Sequence, residues 1–286
     1  MPTVEALYAG VDWLSATLPS SAPNYAEWRN RAIKQLERIA KLGYVIKPRG
    51  LLGYYGLSAG NCFVGEREGD TLIQFTGYHA DEAFDKVYRT DMHTARIDIQ
   101  VTVKTVERHL DVAKTAYAAA TIDNDSLPAA RRRKLVLVVG SDGGDTFYLG
   151  SPSSDQRGRI YNKEVQSELP EHTRCWRYET VYRNGAATSI SAAIYAHPHN
   201  RARLCQTIAA SWFGKRGVDV NWFFSGVLEP MPLKKTLPTD IEAKLRWLEV
   251  QVAPTVRYLC ELGYRDTITL LLLPDAEQPK SSGTED

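Results

Sequence analysis

The chain has 286 residues, 43% hydrophobic and 24% charged, with a formal net charge of +1. That composition describes a globular protein with no bulk electrostatic signature of a nucleic-acid binder, and no apolar run is long enough to span a membrane. No signal peptide opens the chain, and four scattered cysteines (Cys62, Cys175, Cys205, Cys260) form no CxxC pair, so a cytoplasmic protein with reduced thiols is expected.

In chain order, Gly10–Leu18 alternates and predicts a strand. Residues 24–42 follow as an amphipathic helix, with Ala32, Leu36, Ile39 and Ala40 at helical spacing and Gly43 as its stop. Residues 50–78, rich in Gly and Tyr, predict short antiparallel strands with turns at Gly60-Asn61 and Glu68-Gly69-Asp70. In residues 95–103, Arg96, Asp98, Gln100 and Thr102 alternate with Ile97, Ile99, Val101 and Val103, giving one aliphatic and one polar face. A helix over 106–120, a loop over Asp123–Pro128, and strands at Leu135–Val139 and Thr146–Gly150 come next. Ser151–Gly158 reads as a loop, followed by strands at Arg159–Lys163 and Trp176–Tyr182. Residues 186–212 are helical with a break at His197-Pro198-His199. Beyond Pro230-Met231-Pro232 a helix is predicted over Asp240–Leu262, with core positions Leu245, Leu248, Val252, Val256 and Leu259. Thr267–Leu273 is a strand or a short helix, and Asp275–Asp286 a disordered tail.

These elements imply an α+β fold: an antiparallel sheet with one face packed by helices and one open polar face, plus a C-terminal helical segment. The expected organisation is a catalytic domain over residues 1–229, a helical segment over 230–274 packed on it, and the tail.

The chemistry concentrates on three strands. On a strand, Arg159, Tyr161 and Lys163 would share one face, and two cations beside a tyrosine would hold a phosphate and favour the phenolate. The plainer alternative is an ordinary strand with a half-buried tyrosine. Asp98 and Glu179 sit on the two other polar-faced strands. Each is either a paired strand carboxylate or an oxygen ligand for Mg²⁺ or Mn²⁺. The run Arg131-Arg132-Arg133-Lys134 is a cationic cluster of the kind a polyanion-binding surface needs, with Arg201, Arg203, Lys215 and Arg216 a looser second. His197 and His199 resemble a metal pair, but Pro198 argues against a strand there. No Walker A loop, dinucleotide fingerprint or Gly-x-Ser-x-Gly elbow is present.

Five motifs in order, Val11-Asp12-Trp13-Leu14-Ser15, Ala95-Arg96-Ile97-Asp98-Ile99, Phe147-Tyr148-Leu149-Gly150-Ser151, Arg159-Ile160-Tyr161-Asn162-Lys163 and Trp176-Arg177-Tyr178-Glu179, resemble the trans-acting replication initiation factors of rolling-circle plasmids and phages. The stretch from Trp247 to Thr255 is similar to the tail of phage-type members. The resemblance implies a relative of the HUH nicking enzymes. Tyr161 would be the nucleophile that stays joined to a 5′ phosphate, with Asp98 and Glu179 as metal ligands. One departure is Thr102, where many members carry a second acid. Origin DNA is the implied partner, with Arg96, Arg131, Arg132, Arg133 and Lys134 as its candidate contacts and Tyr54 and Tyr55 as candidates for stacking on unpaired bases; a host helicase and a homodimer are also allowed. A relaxase of a conjugative element and a non-catalytic DNA-binding regulator are the rival readings.

Overall fold

Strand β6 (His93–Thr105) sits near the middle of the sheet, and its two faces find different neighbours. Ile97, Ile99, Val101 and Val103 are fully buried against helices, as their alternation requires. The computed structural model describes residues 4–105, 111–141, 143–167, 173–220, 253–261 and 263–264. The chain divides into two compact units, residues 1–234 and 235–286.

In the first unit a ten-stranded antiparallel sheet runs in the order β2-β3-β4-β5-β1-β6-β10-β9-β8-β7. Its strands are β1 (Val4–Pro19), β2 (Ile46–Leu51), β3 (Tyr54–Ala59), β4 (Cys62–Arg67), β5 (Asp70–Thr76), β6, β7 (Leu135–Val138), β8 (Thr146–Leu149), β9 (Gln156–Asn162) and β10 (Cys175–Arg183). Helices α1 (Tyr25–Ala40), α2 (Tyr78–Val87), α3 (Val112–Asp125), α5 (Asn184–Tyr195) and α6 (Arg201–Gly214) all contribute to one hydrophobic core on the aliphatic face. The α+β class with helices on one face of an antiparallel sheet is therefore observed. Helix α4 (Lys163–Ser167) follows β9 directly.

Local chemistry accounts for most boundaries. Helix α1 buries Trp28, Leu36 and Ile39, and the Trp28 indole donates to the Val87 carbonyl at 2.7 Å, tying α1 to α2. The predicted turn at Gly60-Asn61 holds, since Ala59 pairs with Cys62, whereas the turn predicted over Glu68-Gly69-Asp70 narrows to Glu68-Gly69 because Asp70 pairs with Arg67 and opens β5. The break at His197–His199 is a short 3₁₀ turn, Pro198–Asn200, between α5 and α6. Helix α3 begins at Val112 behind the N-cap Asp111, whose carboxylate accepts from the Lys114 amide at 3.0 Å; the predicted helical start over residues 106–110 lies outside the described residues. It also runs to Asp125, into the expected loop.

Other boundaries correct the sequence reading. Helix α2 begins at Tyr78, the last residue of the predicted strand region, and continues over residues for which no element was predicted, and strand β9 begins at Gln156, inside the predicted loop. Strand β9 also stops at Asn162, so Lys163 opens α4 instead of continuing the strand. The cause is a cap: Asn162 Oδ1 accepts from the Val165 amide at 3.3 Å, satisfying a donor of the first helical turn.

In the second unit α7 (Ala253–Glu261) is the described part of the predicted C-terminal helix. Leu245, Leu248, Thr267–Leu273 and the tail fall outside the described residues. Among the described residues no helix is long and apolar enough to cross a membrane.

Candidate active site

Strand register brings the three polar-faced strands together. Strand β10 lies between β6 and β9, pairing Glu179 with Gln100 on one side and with Arg159 on the other. Directly opposed residues share a face, so Asp98, Gln100, Thr102, Arg177, Glu179, Arg159 and Tyr161 project to the side away from the helices. This polar face is not solvated at its centre. Asp98, Gln100, Thr102, Arg177 and Glu179 are all buried.

Each buried charge has a specific partner. Arg96 grips Asp98 with two hydrogen bonds, Nε to Oδ1 at 2.8 Å and Nη2 to Oδ2 at 2.5 Å, while its guanidinium stacks on Trp13 at 4.1 Å. Arg159 donates through Nε to Glu179 Oε2 at 2.5 Å and through Nη2 to the same carboxylate. The Tyr161 hydroxyl donates to Glu179 Oε1. Arg177 donates to Thr102 Oγ1 at 3.2 Å and meets Asp12 Oδ1 at 3.4 Å. Thr102, the departure from the family pattern, therefore serves as an acceptor for Arg177.

Burial without full pairing costs free energy, and the ionisation of the cluster reflects it. Burial raises the Asp12 carboxyl to about 6, helped by Glu179 and opposed by Arg177. Asp98 is raised by burial, with Arg96 opposing. Lys163 is lowered to about 8 by burial and then by Arg177. Burial pushes the Tyr161 hydroxyl well above its ordinary value, Arg177 opposes, and Glu179 and Asp12 add to the rise. The expectation that flanking cations favour the phenolate is thus reversed in this resting arrangement. The hydroxyl is buried, and an acceptor carboxylate holds its proton.

Asp12, Arg177 and Gln100 are the members the sequence reading missed. Asp12 had a visible signal. The hydrophobic-core residues of β1 have odd numbers at Ala9 and Val11 but even numbers at Leu14, Ala16 and Leu18. That parity switch requires an extra residue, and the β1–β6 register shifts between Val11 and Trp13, placing a bulge at Asp12. Gln100 is fully buried, and neither end of its amide has a hydrogen-bond partner among the described residues.

The donor set here, three carboxylates and an orphaned amide oxygen, is chemically suited to a hard divalent cation. In the present arrangement, among the described residues, no three Asp, Glu, His or Cys side chains are grouped closely enough to hold one. Binding would require Asp98 and Glu179 to exchange arginine contacts for the ion.

The other predicted DNA contacts separate. Arg131 and Arg132 are exposed, but Arg133 is committed to Asp123 at 2.7 Å. Lys134 is exposed. Arg201 pairs with Asp81 at 3.1 Å and with Asp85, and Arg216 lies over Trp212 at 3.9 Å. Tyr54 is buried under Arg67 and unsuited to stacking, whereas Tyr55 is 79% exposed.

A cavity of about 290 Å³ opens beside Tyr161, lined by Thr146, Tyr148, Arg159, Asn162 and Gln166 among others. The replication initiation factor family (Rep_trans) matches residues 92–272, more than half of the chain. The chain belongs to the replication initiation factor family. The matched span contains β6, β9 and β10, and so every cluster member except Asp12 and Trp13. Among solved structures, a rolling circle replication initiator protein from Geobacillus stearothermophilus is 17% identical, with 79% of this chain and 93% of that chain covered and a TM-score of 0.49. No curated protein sequence matches the chain.

Proposed function

We propose that this replication initiation factor starts rolling-circle replication by nicking one strand of origin DNA, with Tyr161 as nucleophile. The observation that carries the reading is Tyr161 on the polar sheet face of a family member, at a cavity, hydrogen-bonded to Glu179 and flanked by Arg159. The phenol oxygen attacks the scissile phosphorus. The bond from phosphorus to the 3′ oxygen breaks, leaving tyrosine joined to the 5′ phosphate and a free 3′ hydroxyl that primes synthesis. The phenolic proton has a waiting acceptor in Glu179, and the departing 3′ oxygen can take a proton from Lys163. Arg159 and Lys163 offset the charge that gathers on the phosphate.

Mg²⁺ or Mn²⁺ held by Asp98 and Glu179, when bound, would polarise the phosphate. The buried carboxylates and the orphaned Gln100 amide support that role by their chemistry. Origin DNA is the partner, engaged through basic side chains including Arg96, Arg131, Arg132 and Lys134. A host helicase and a second copy of the chain are further expected partners, and the cytoplasm is the expected location.

The test is incubation with supercoiled plasmid carrying the native origin, with metal or with chelator. The proposal expects open circles with protein on a 5′ end, only with metal. Binding without nicking would favour the DNA-binding regulator instead. Nicking confined to a conjugative transfer origin would favour the relaxase.

A further inference from the structure

A second cavity, of about 190 Å³, adjoins the one at Tyr161. Lys134, Val136, Tyr148, Gly150, Pro152 and Arg157 are among its lining residues. Tyr148 lines both cavities. Arg157 lies two residues before Arg159 on β9, and both project to the polar face. Two strand residues span roughly 6.6 Å, a step of about one nucleotide along a stretched single strand.

Arg157 differs from the other cluster arginines in having no carboxylate. Among the described residues it makes no ion pair, while Arg96, Arg159 and Arg177 each hold an acid. Asp98 is the acid whose charge favours it, but Arg96 already occupies both of that carboxylate's oxygens. Burial, then Arg183 and Arg96, disfavours the Arg157 charge. Arg183 is itself spent on the Pro152 and Ser154 carbonyls, at 2.8 and 3.0 Å, where it props the cavity wall. Gly150 has φ +100°, and a Cβ there would lie 3.4 Å from Arg157 Cα, so the chain just after β8 lies within contact distance of this arginine's backbone. A half-buried guanidinium among like charges, facing a cavity with a lysine at its rim, lacks an anion.

We infer that Arg157, with Lys134, binds the phosphate of single-stranded DNA next to the scissile one, and that the strand passes over Tyr148 between the two cavities. The inference rests on the nicking reading. It assigns a phosphate subsite where the sequence reading had named only Lys134. Tyr148 offers a ring to the intervening base, a contact indifferent to base identity.

The test is the salt dependence of binding to a dT oligonucleotide, by fluorescence anisotropy, in a Tyr161→Phe background so that no chemistry intervenes. One phosphate contact contributes about 0.7 to the slope of log K against log salt on a single strand. Arg157→Gln is expected to lower the slope by about that amount, while Arg157→Lys keeps it. Val136→Glu, at an exposed position on the cavity rim, leaves Arg157 in place but neutralises it, and gives the same loss should Arg157→Gln fold poorly. An unchanged slope in Val136→Glu and in any folded Arg157→Gln overturns the subsite. A protein with Tyr161 and Arg157 intact that shows no salt-dependent binding overturns the nicking reading with it. Normal binding with an unchanged slope overturns the subsite alone.

Discussion

Gly158→Ala is the sharpest structural test, because β9 carries both Arg159 and Tyr161 and rests on α6 through this glycine. A Cβ at Gly158 would lie 2.4 Å from Trp212 Cζ3, 2.8 Å from Cη2 and 2.9 Å from Phe213 Cε1. Carbon atoms prefer about 3.5–4.0 Å, so roughly 1 Å of movement is demanded. Neither ring is free to supply it. Trp212 donates to Gln156 at 3.2 Å and carries Arg216 on its face, and Phe213 packs edge-on against Tyr178 at 5.3 Å. The strand must lift instead, at a cost of about 1–3 kcal/mol. In a chain of this size that lowers Tm by roughly 2–6 °C. Trp212→Leu alone should also destabilise, by leaving a cavity. The double variant should be more stable than the sum of the two losses by at least about 1 kcal/mol, because the new methyl enters the vacated space. Urea denaturation of the four proteins measures this coupling. Additive losses, or an unchanged Tm in Gly158→Ala, would refute the packing argument.

Three other outcomes follow from the cluster's electrostatics. Asp12 binds its proton more tightly folded than unfolded. Its contribution to stability is therefore present below the unfolded pKa and is lost as pH rises from 3.8 through about 6. With the side chain 14% exposed, the swing is about 2–3 kcal/mol, and Asp12→Asn should lack it; parallel pH profiles for the two proteins would contradict the assignment. Lys163, lowered to about 8, should react with an acylating reagent with a midpoint near that pH, below the ordinary lysine value of about 10.4. Peptide mass spectrometry reads the midpoint, and labelling in step with surface lysines would count against it. Arg159→Met should cost about 3–5 kcal/mol, because Glu179 is fully buried and, among the described residues, would keep only the Tyr161 hydrogen bond. A loss below about 1 kcal/mol, typical of surface pairs, would place Glu179 in contact with water.

The strands were legible where burial is one-sided. The alternation from Arg96 to Val103 gave β6 its faces because one face is wholly aliphatic. The helix break at Pro198 was legible because proline removes a donor. Helix α2 was not, because it is short and Gly77 at its start, φ 61°, offers no side-chain cap. The end of β9 at Asn162 was hidden for a related reason. A period-2 pattern runs through Lys163, and only the cap on the Val165 amide shows the chain turning into a helix. The neighbourhood of Asp98, Glu179 and Tyr161 depends on strand order across 81 residues of chain, from Asp98 to Glu179, which no local pattern encodes. The resemblance to the family supplied that neighbourhood as an expectation, and the register of β6, β10 and β9 makes it physical. Arg157 escaped notice because it fell in a predicted loop.

The most direct test of the account is to trap the covalent adduct on an origin oligonucleotide with Mn²⁺ and map the modified peptide by mass spectrometry. The account predicts a nucleotide 5′ phosphate on Tyr161 and no adduct from Tyr161→Phe. An adduct on another residue, or one that persists in Tyr161→Phe, would contradict it.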